Sequence, residues 1–236
     1  MATKKVKVKV KKKKINYKRI ILAIILIISI LLLVTYLIHL PVKNIYIIGN
    51  DILSDKEIIE ISGLEDYPPY INTYFTNIKD NLLKNDYIKD VQIKRKILNK
   101  IYITIEENKP LAIYNDELIL SSDKLVANTY NIDYIPYIIN NIDDVYDDFI
   151  TSFRKVNKDI LLKISHIEYA PNEVDKERFI LYMVDGNYVH ITLSKIEKIN
   201  KYNSIVSELE GKKGIIYLDS GDYVEIKGWH KQPHII

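Results

Sequence analysis

The 236-residue chain contains no cysteine, which excludes a disulfide framework, a thiol nucleophile and a cysteine-based metal site. It also contains no GxSxG motif, no phosphate-binding P-loop and no GxGxxG fingerprint. No Ser/Gly-rich linker, low-complexity run or internal repeat divides it. Because the usual signatures of a reaction centre are missing, the sequence predicts a protein that is not an enzyme and binds no cofactor.

Two polar clusters are candidates for a metal site, but neither has the required spacing. His230 and His234 are four residues apart, yet Pro233 lies between them and no glutamate follows the first histidine. Four aspartates near a predicted helix start lack the glycine and final glutamate of an EF-hand loop; they are Asp143, Asp144, Asp147 and Asp148. His166 and His190 follow strand patterns, as ordinary sheet residues do. We therefore predict no metal site.

Acidic residues are absent from the first 19 residues, which carry ten of the 34 lysines and arginines. The rest of the chain holds 24 basic residues against 31 acidic ones, so the protein is acidic with a basic arm. A nucleic-acid-binding arm is one interpretation. Beside an apolar segment, the same charges are more simply a topology signal that attracts anionic lipid headgroups. We therefore expect contact with a lipid bilayer and no nucleic-acid partner.

Charged residues are also absent from Ile20 to Leu40. A helix of this length measures about 31 Å, which matches the hydrocarbon core of a bilayer. A cleaved signal peptide is the alternative, but its apolar region is usually shorter and ends in a small-x-small site, whereas this segment ends in bulky residues. The basic arm predicts a cytoplasmic N-terminus, with everything after Leu40 outside the membrane.

The segment after the apolar run predicts a small unit with the order β-α-α-β-β. A strand around Ile45–Ile47 ends in Gly49-Asn50, a turn pair that tolerates positive φ. Ser54-Asp55-Lys56-Glu57 is a capping box that starts a helix. A second helix places four apolar residues on one stripe, and strands follow over 91–96 and 100–106; the stripe consists of Ile71, Phe75, Ile78 and Leu82.

The second unit, which follows a polar stretch ending in Pro110, is predicted to be richer in strands. Asp185-Gly186 lies between two alternating segments and indicates a hairpin with a tight turn. A helix led by acidic residues is expected after Asn141. A second capping box, Ser194-Lys195-Ile196-Glu197, is expected to start another helix. Short strands are expected near 215–218 and 223–227 at the end.

Several segments, in a fixed order around the single apolar run, resemble the bacterial cell-division family DivIB/FtsQ. They are VKNIYIIGNDILSDKEIIEISGL (42–64), YIKDVQIKRKILNKIYITIEENKPLAIY (87–114), YIPYI (134–138) and FILYMVDGNYVHITLSKIEKINKY (179–202). The resemblance covers nearly the whole chain. It implies an α+β fold with an N-terminal transmembrane helix, a β-α-α-β-β POTRA domain and a strand-rich α+β domain, the β domain.

The resemblance also implies a function. In this family the POTRA unit contributes to recruitment to the septum, and the β domain binds the exterior parts of two small coiled-coil proteins, DivIC (FtsB) and FtsL. The chain would then be a non-enzymatic scaffold at the septum that helps to control septal peptidoglycan synthesis. One departure is the triplet Tyr217-Leu218-Asp219, where the family often has an acidic residue, leucine and a basic residue.

The family contact surface, carried over to this chain, lies in the final strands and works by strand addition to an exposed edge. It points to Tyr223, Val224 and Ile226, with Trp229 as a possible anchor. The alternative is that Tyr223 to Ile226 only complete the β domain.

The expected organisation is a basic cytoplasmic tail, a transmembrane helix, the POTRA domain, the β domain and a short C-terminal tail. Their predicted ranges are 1–19, 20–40, 42–110, 111–228 and 229–236. Two other functions are weaker alternatives. A POTRA protein of polypeptide transport would carry several POTRA units and a barrel, and a tethered cell-wall enzyme would show a catalytic cleft.

Overall fold

The computed structural model describes residues 16–69, 73–96, 99–226 and 234–235. The α-helices are α1 (Tyr17–Ile38), α2 (Asp55–Ser62), α3 (Phe75–Leu82), α4 (Tyr146–Phe153), α5 (Lys158–Leu161) and α6 (Tyr202–Glu208). The strands are β1 (Asn44–Ile48), β2 (Ile88–Lys96), β3 (Lys100–Glu107), β4 (Pro110–Tyr114), β5 (Glu117–Leu120), β6 (Leu125–Ala127), β7 (Tyr137–Ile138), β8 (Ile164–Tyr169), β9 (Arg178–Met183), β10 (Tyr188–Thr192), β11 (Gly214–Tyr217), β12 (Tyr223–Ile226) and β13 (His234–Ile235). The predicted α+β class is confirmed.

Helix α1 buries none of its residues against the rest of the protein. Its 22 residues rise about 33 Å, enough to cross the hydrocarbon core of a bilayer. Among the described residues it is the one helix long and apolar enough to do so. The predicted N-terminal apolar helix is confirmed, and it supports a single membrane anchor.

The connection between α1 and β1 is held by hydrogen bonds at every residue. The backbone N–H groups of His39 and Leu40 bond back to α1. The carbonyl of Pro41 accepts from Asn99 Nδ2 at 3.1 Å. The N–H of Val42 donates to the carbonyl of Pro68, and that of Lys43 donates to the carbonyl of Asn99, both at 3.0 Å. The first folded unit is therefore fixed directly to the end of the membrane helix.

The first folded unit is a three-stranded sheet in the order β1-β3-β2, with β1 parallel and β2 antiparallel to β3. Helices α2 and α3 cover one face, and their residues Ile58, Ile78 and Leu82 share a buried cluster with Ile101 and Ile103 of β3. This is the predicted β-α-α-β-β arrangement. Of the predicted apolar stripe on the second helix, Ile71 lies outside the described residues.

The loop between β1 and α2 is shaped by close backbone contacts. Gly49 has φ +92°, and a Cβ there would lie 2.2 Å from the carbonyl oxygen of Ile105, so only glycine fits. The Glu107 carboxylate accepts from the N–H groups of Ile52 and Leu53 at 2.8 and 2.9 Å. Ser54 Oγ then accepts from the backbone of Glu57, whose carboxylate bonds the Ser54 N–H, which is the predicted capping box.

The large sheet has ten strands in the order β13-β12-β11-β10-β9-β8-β7-β4-β5-β6. Helices α4 and α6 cover one face, where Phe149 and Tyr202 belong to the same buried cluster as Leu181, Val189 and Ile216 of the sheet. The alternate residues of β9, β10 and β11 point to the opposite face and, apart from Thr192 at the end of β10, are partly exposed. The predicted hairpin at Asp185-Gly186 joins β9 to β10.

Strands β4 and β5 connect the two units because they bury side chains on both faces. Leu111 and Ile119 belong to the cluster of the large sheet. Ile113 and Leu118 belong to the cluster beneath α2 and α3. The boundary at residue 110 stays a prediction, but hydrophobic packing continues across it.

Polar contacts reinforce this connection. The hydroxyl of Tyr87 donates to the carbonyl of Ala127 at 3.2 Å, and the hydroxyl of Tyr130 donates to Glu57 at 3.1 Å. The Tyr87 and Tyr130 rings meet edge to face with centroids 5.0 Å apart. Burial and the hydrogen bond to Glu57 raise the pKa of Tyr130 to about 12. The hydroxyl therefore stays protonated and donates to the carboxylate.

Two predicted helix starts differ from the structure. Ser194 does not cap an α-helix, because residues Leu193–Lys201 form a 3-10 helix whose N-cap is Thr192, without a side-chain hydrogen bond. The helix expected from Asn141 begins as a 3-10 turn over Asp143–Val145 before α4.

Candidate partner-binding surface

The outer face of the large sheet carries a row of aromatic side chains across β9 to β12. The row, called the outer aromatic row below, consists of Tyr182, Tyr188, His190, Tyr217 and Tyr223. Tyr182 and Tyr188 are cross-strand partners 5.2 Å apart, measured between ring centroids. His190 lies 4.8 Å from Tyr217, which stacks on Tyr223 at 4.6 Å and 16°. Such cross-strand pairs form a rigid, amphipathic contact surface.

A half-buried charged cluster lies beside this row. Arg178 Nε donates to Asp219 Oδ2 at 2.7 Å, and the two side chains are only 17% and 8% exposed. Burial by itself would raise the pKa of Asp219, but hydrogen bonds from Arg178 and Ser220 outweigh it, so that pKa is lowered. Arg178 also donates to His190 Nδ1. Since a guanidinium can only donate, His190 Nδ1 is an acceptor and Nε2 carries the proton.

Two lysines of the 3-10 helix Leu193–Lys201 donate hydrogen bonds to the turn between β11 and β12. Lys195 Nζ donates to the carbonyl of Asp219. Lys198 Nζ donates to Asp222 at 2.6 Å. These contacts fix β12 in position, so the surface that it presents is preorganised for binding.

The structure places three of the four predicted contact residues in β12, and each has a different environment. Tyr223 belongs to the outer aromatic row and is half-buried. Val224 is 1% exposed and belongs to the core, so its side chain is structural. Ile226 packs partly against the same core. Trp229 lies outside the described residues.

The edge of β12 differs from the expected free edge. Strand β13 pairs antiparallel with β12 through Tyr223 opposite Ile235 and Val224 opposite His234. A partner strand that adds at these two residues must therefore replace a strand of the same chain. The sequence did not indicate this pairing because the segment before His234 contains a proline and no alternating pattern.

The sequence interpretation missed Arg178, Asp219 and His190 as members of the surface. Alternation placed Arg178 and His190 on strands, but the ion pair joins residues 41 positions apart, and only the pairing of β9, β10 and β11 brings them together. The departure from the family triplet at Asp219 was the only available signal.

Among the described residues, no group of three or more His, Asp or Glu side chains is arranged to hold a metal ion. His190 faces a guanidinium instead of a hydroxyl or a carboxylate. This geometry suits a structural histidine in a contact surface.

Together these features define a class: a membrane-anchored protein with a POTRA-type unit next to the membrane and a large sheet with an aromatic face. Residues 40–108 match the family model described as "POTRA domain, FtsQ-type". Curated relatives carry the name cell division protein DivIB. The chain is 31% identical to that of Listeria monocytogenes over 91% of this chain and 83% of the relative.

Two further relatives are matched over slightly larger shares of both chains. The chain is 28% identical to DivIB of Bacillus subtilis over 93% of this chain and 88% of the relative. It is also 28% identical to DivIB of Bacillus anthracis over 93% of this chain and 87% of the relative. A solved structure of the major extracytoplasmic domain of DivIB from Geobacillus stearothermophilus is 21% identical, with a TM-score of 0.37, and covers 44% of this chain and 96% of that one. The identity to the curated relatives and the coverage of both chains show that the chain belongs to the DivIB/FtsQ family.

Proposed function

We propose that this protein is a non-catalytic, single-span scaffold of the cell-division machinery. Its exterior units bind the DivIC (FtsB)–FtsL pair and thereby help to control septal peptidoglycan synthesis. Family membership supports the role in division, since the curated relatives are named cell division proteins. The partners and the control of peptidoglycan synthesis follow from the family resemblance.

One observation carries the assignment of the binding surface: the outer aromatic row ends on β12, next to the terminal strand β13 of the large sheet. Tyr217 and Tyr223 form its last stacked pair, and Tyr223 stands beside the outermost strand. Half-buried tyrosines offer an aromatic anchor, and the backbone groups of β12 can bond an incoming strand once that strand replaces β13. The surface for the partner is therefore β12 with the outer aromatic row.

The membrane anchor gives the scaffold its orientation and its location. Eight basic residues precede α1 and two more, Lys18 and Arg19, lie in its first turn, so the N-terminus lies in the cytoplasm and both folded units lie outside. The location at the division septum follows from the family resemblance. Confinement to the membrane raises the effective concentration for partners that share it.

Fluorescence imaging of an N-terminal fusion in dividing cells tests the division role. The expected result is a band at midcell. Even signal around the whole cell throughout the cycle would contradict the role in division. The fusion is placed at the N-terminus because the folded units are proposed to lie outside.

A binding experiment tests the surface separately. The full chain in detergent is titrated with the purified exterior parts of DivIC and FtsL, and Tyr223→Ala is compared with wild type. Loss of a central aromatic anchor is expected to weaken binding by about thirtyfold, which corresponds to about 2 kcal/mol.

Tyr102→Ala is a matched control. Tyr102 stacks on Tyr46 at 4.6 Å and 15° on the small sheet, almost the geometry of Tyr217 on Tyr223. It is expected to leave binding unchanged. If both variants lost binding equally, or if neither variant lost binding, the outer aromatic row would not be part of the interface.

A further inference from the structure

The outer face of the small sheet carries lysines around a stacked tyrosine pair. Tyr46 of β1 and Tyr102 of β3 stack with centroids 4.6 Å apart. Lys96 Nζ lies 4.6 Å from the Tyr102 ring centroid and Lys100 Nζ lies 6.0 Å from that of Tyr46. Lys94 is the cross-strand partner of Tyr102 and is exposed. We call these five residues the basic-aromatic face.

Charge is graded along this face from one end to the other. Cross-strand rows, counted away from the membrane helix, are Asn44-Lys100-Lys96, Tyr46-Tyr102-Lys94 and Ile48-Thr104-Gln92. The next row holds the acidic pair Glu106-Asp90. The three rows nearer the membrane thus carry three lysines and no carboxylate, although the chain after residue 19 has more acidic than basic residues.

The connection to α1 keeps this face close to the bilayer. The row of Lys100 and Lys96 is level with Asn44, only four residues after Leu40, a distance of at most about 14 Å. The intervening residues are hydrogen-bonded to the loops around Pro68 and Asn99. The short, hydrogen-bonded connection between α1 and β1 therefore keeps the sheet near the lipid surface.

We propose that the basic-aromatic face rests on the anionic headgroup layer of the membrane that α1 crosses. Lysines near an anionic surface are attracted to it, and tyrosines are enriched at the membrane–water interface because one end of the ring is apolar and the other polar. Ile48, 52% exposed in the third row, adds an apolar contact. The contact with the headgroups ends before the row of Glu106 and Asp90, because these carboxylates are repelled by an anionic surface. This role goes beyond scaffolding and does not depend on the partners.

The absence of native cysteine makes a direct test simple. The full chain carries Thr104→Cys, a position in the exposed third row, and is labelled there with an environment-sensitive fluorophore. It is reconstituted into nanodiscs of phosphatidylcholine with or without a minority of phosphatidylglycerol, each with headgroup spin-labelled lipid as quencher. If the face lies on the lipid, the label is quenched; if the sheet stands upright, the label is too far away.

We expect quenching in the phosphatidylglycerol nanodiscs that weakens at high salt. Each lysine near the surface contributes roughly a fivefold shift in population. Changing Lys94, Lys96 and Lys100 to glutamate is therefore expected to lower the lipid-bound population more than about a hundredfold. Changing the same three lysines to glutamine is expected to give an intermediate loss of the lipid-bound population. This milder variant is the control for misfolding of the glutamate variant.

Two controls make the result specific. Lys176, Lys201 and Lys213 of the large-sheet unit, changed together to glutamate, alter the net charge equally and are expected to keep the quenching. A label at position 207, on α6, is expected to remain unquenched in every nanodisc. Absence of quenching at position 104, equal quenching without phosphatidylglycerol, or equal loss with both lysine triplets would each overturn the proposal.

Discussion

Asp219 shows how a single residue that departs from the family pattern can have a local physical explanation. The family resemblance implies a basic residue at this position, but Asp219 is acidic and accepts a hydrogen bond from Arg178 at 2.7 Å. Ser220 donates to the same carboxylate from its backbone N–H at 2.7 Å. The side chain is thus an acceptor at the centre of a local network that holds the turn before β12. An arginine or lysine at this position would face Arg178 and repel it.

His190, in the same network, gives the fold a predicted pH dependence. Burial, and after it the positive charge of Arg178, lowers the pKa of His190, while Asp219 and Glu168 act in the opposite direction. In the unfolded chain a histidine has a pKa of about 6.5. As the pH falls from there toward the folded pKa, the unfolded chain binds more protons, so the free energy of unfolding decreases. Above about pH 7 both states are neutral and His190 contributes nothing.

We predict that His190→Gln removes this loss of stability, which is at most about 1.4 kcal/mol per pH unit. Glutamine retains an acceptor for Arg178. The measurement is urea unfolding of the full chain in detergent at neutral and mildly acidic pH. His166→Gln, a change on the exposed face of β8, should keep the wild-type slope. The same slope in both variants would assign the pH dependence to other groups.

At the level of single residues, the sequence predicted alternation but not pairing. It named Tyr223 and Val224 together as contact residues, whereas in the structure the Val224 side chain is buried and that of Tyr223 belongs to the outer aromatic row. It could not predict that Tyr217 and Tyr223 stack, because stacking depends on the register between β11 and β12.

The two capping-box sequences show where prediction from a motif ends at the scale of elements. The box at Ser54 starts a true α-helix that ends at Gly63 in the left-handed conformation. The box at Ser194 lies in a 3-10 helix, whose buried residues Leu193, Ile196 and Ile199 recur every three positions. A period of three is that of the 3-10 helix, in which residues i and i+3 align. The burial spacing, and not the capping motif, determined the helix type.

Strand β13 leads to a prediction about partner binding. If the partner adds to β12, it must displace β13, which pairs with Tyr223 and Val224 within the part of the chain that the structure describes. Changing both His234 and Ile235 to proline removes backbone donors from β13. This change is expected to strengthen binding of the DivIC–FtsL exterior parts by about fivefold, because the competing backbone hydrogen bonds are lost.

The matched control for this variant is a change to alanine at the same two positions, which retains the backbone donors. Affinity is measured by the same titration as for Tyr223→Ala. An unchanged affinity in the proline variant would mean that the partner binds without using this edge. A weaker affinity would place β13 within the interface.

At the scale of the whole molecule, the two units are predicted to unfold together because they share buried strands. Leu118 is fully buried in β5 on the side of the small-sheet cluster. Leu118→Ala is expected to lower the free energy of unfolding by about 3 kcal/mol. It should also increase amide hydrogen exchange in both β3 and β4, on either side of the junction.

Leu181→Ala is the comparison, since Leu181 is equally buried but belongs to the cluster of the large sheet. It is expected to cost a similar free energy and, because the two units unfold together, to increase amide hydrogen exchange in β3 as well. If Leu118→Ala changed exchange only in the large sheet, the units would be independent. The sequence suggested a domain boundary at Glu106 to Pro110 because this stretch is polar and ends in a proline, and it could not show that β4 and β5 bury both faces.

The hydrogen-bonded connection from α1 to β1 has a mechanical consequence. Each residue from His39 to Lys43 is hydrogen-bonded either to α1 or to the loops around Pro68 and Asn99. We therefore expect the membrane helix and the small sheet to move together. A sideways pull on the exterior units tilts the helix in the bilayer, and a twist of the helix about its axis turns the sheet. A force on the folded units would thus reach the N-terminal end of α1 as rotation or tilt, without any change of fold.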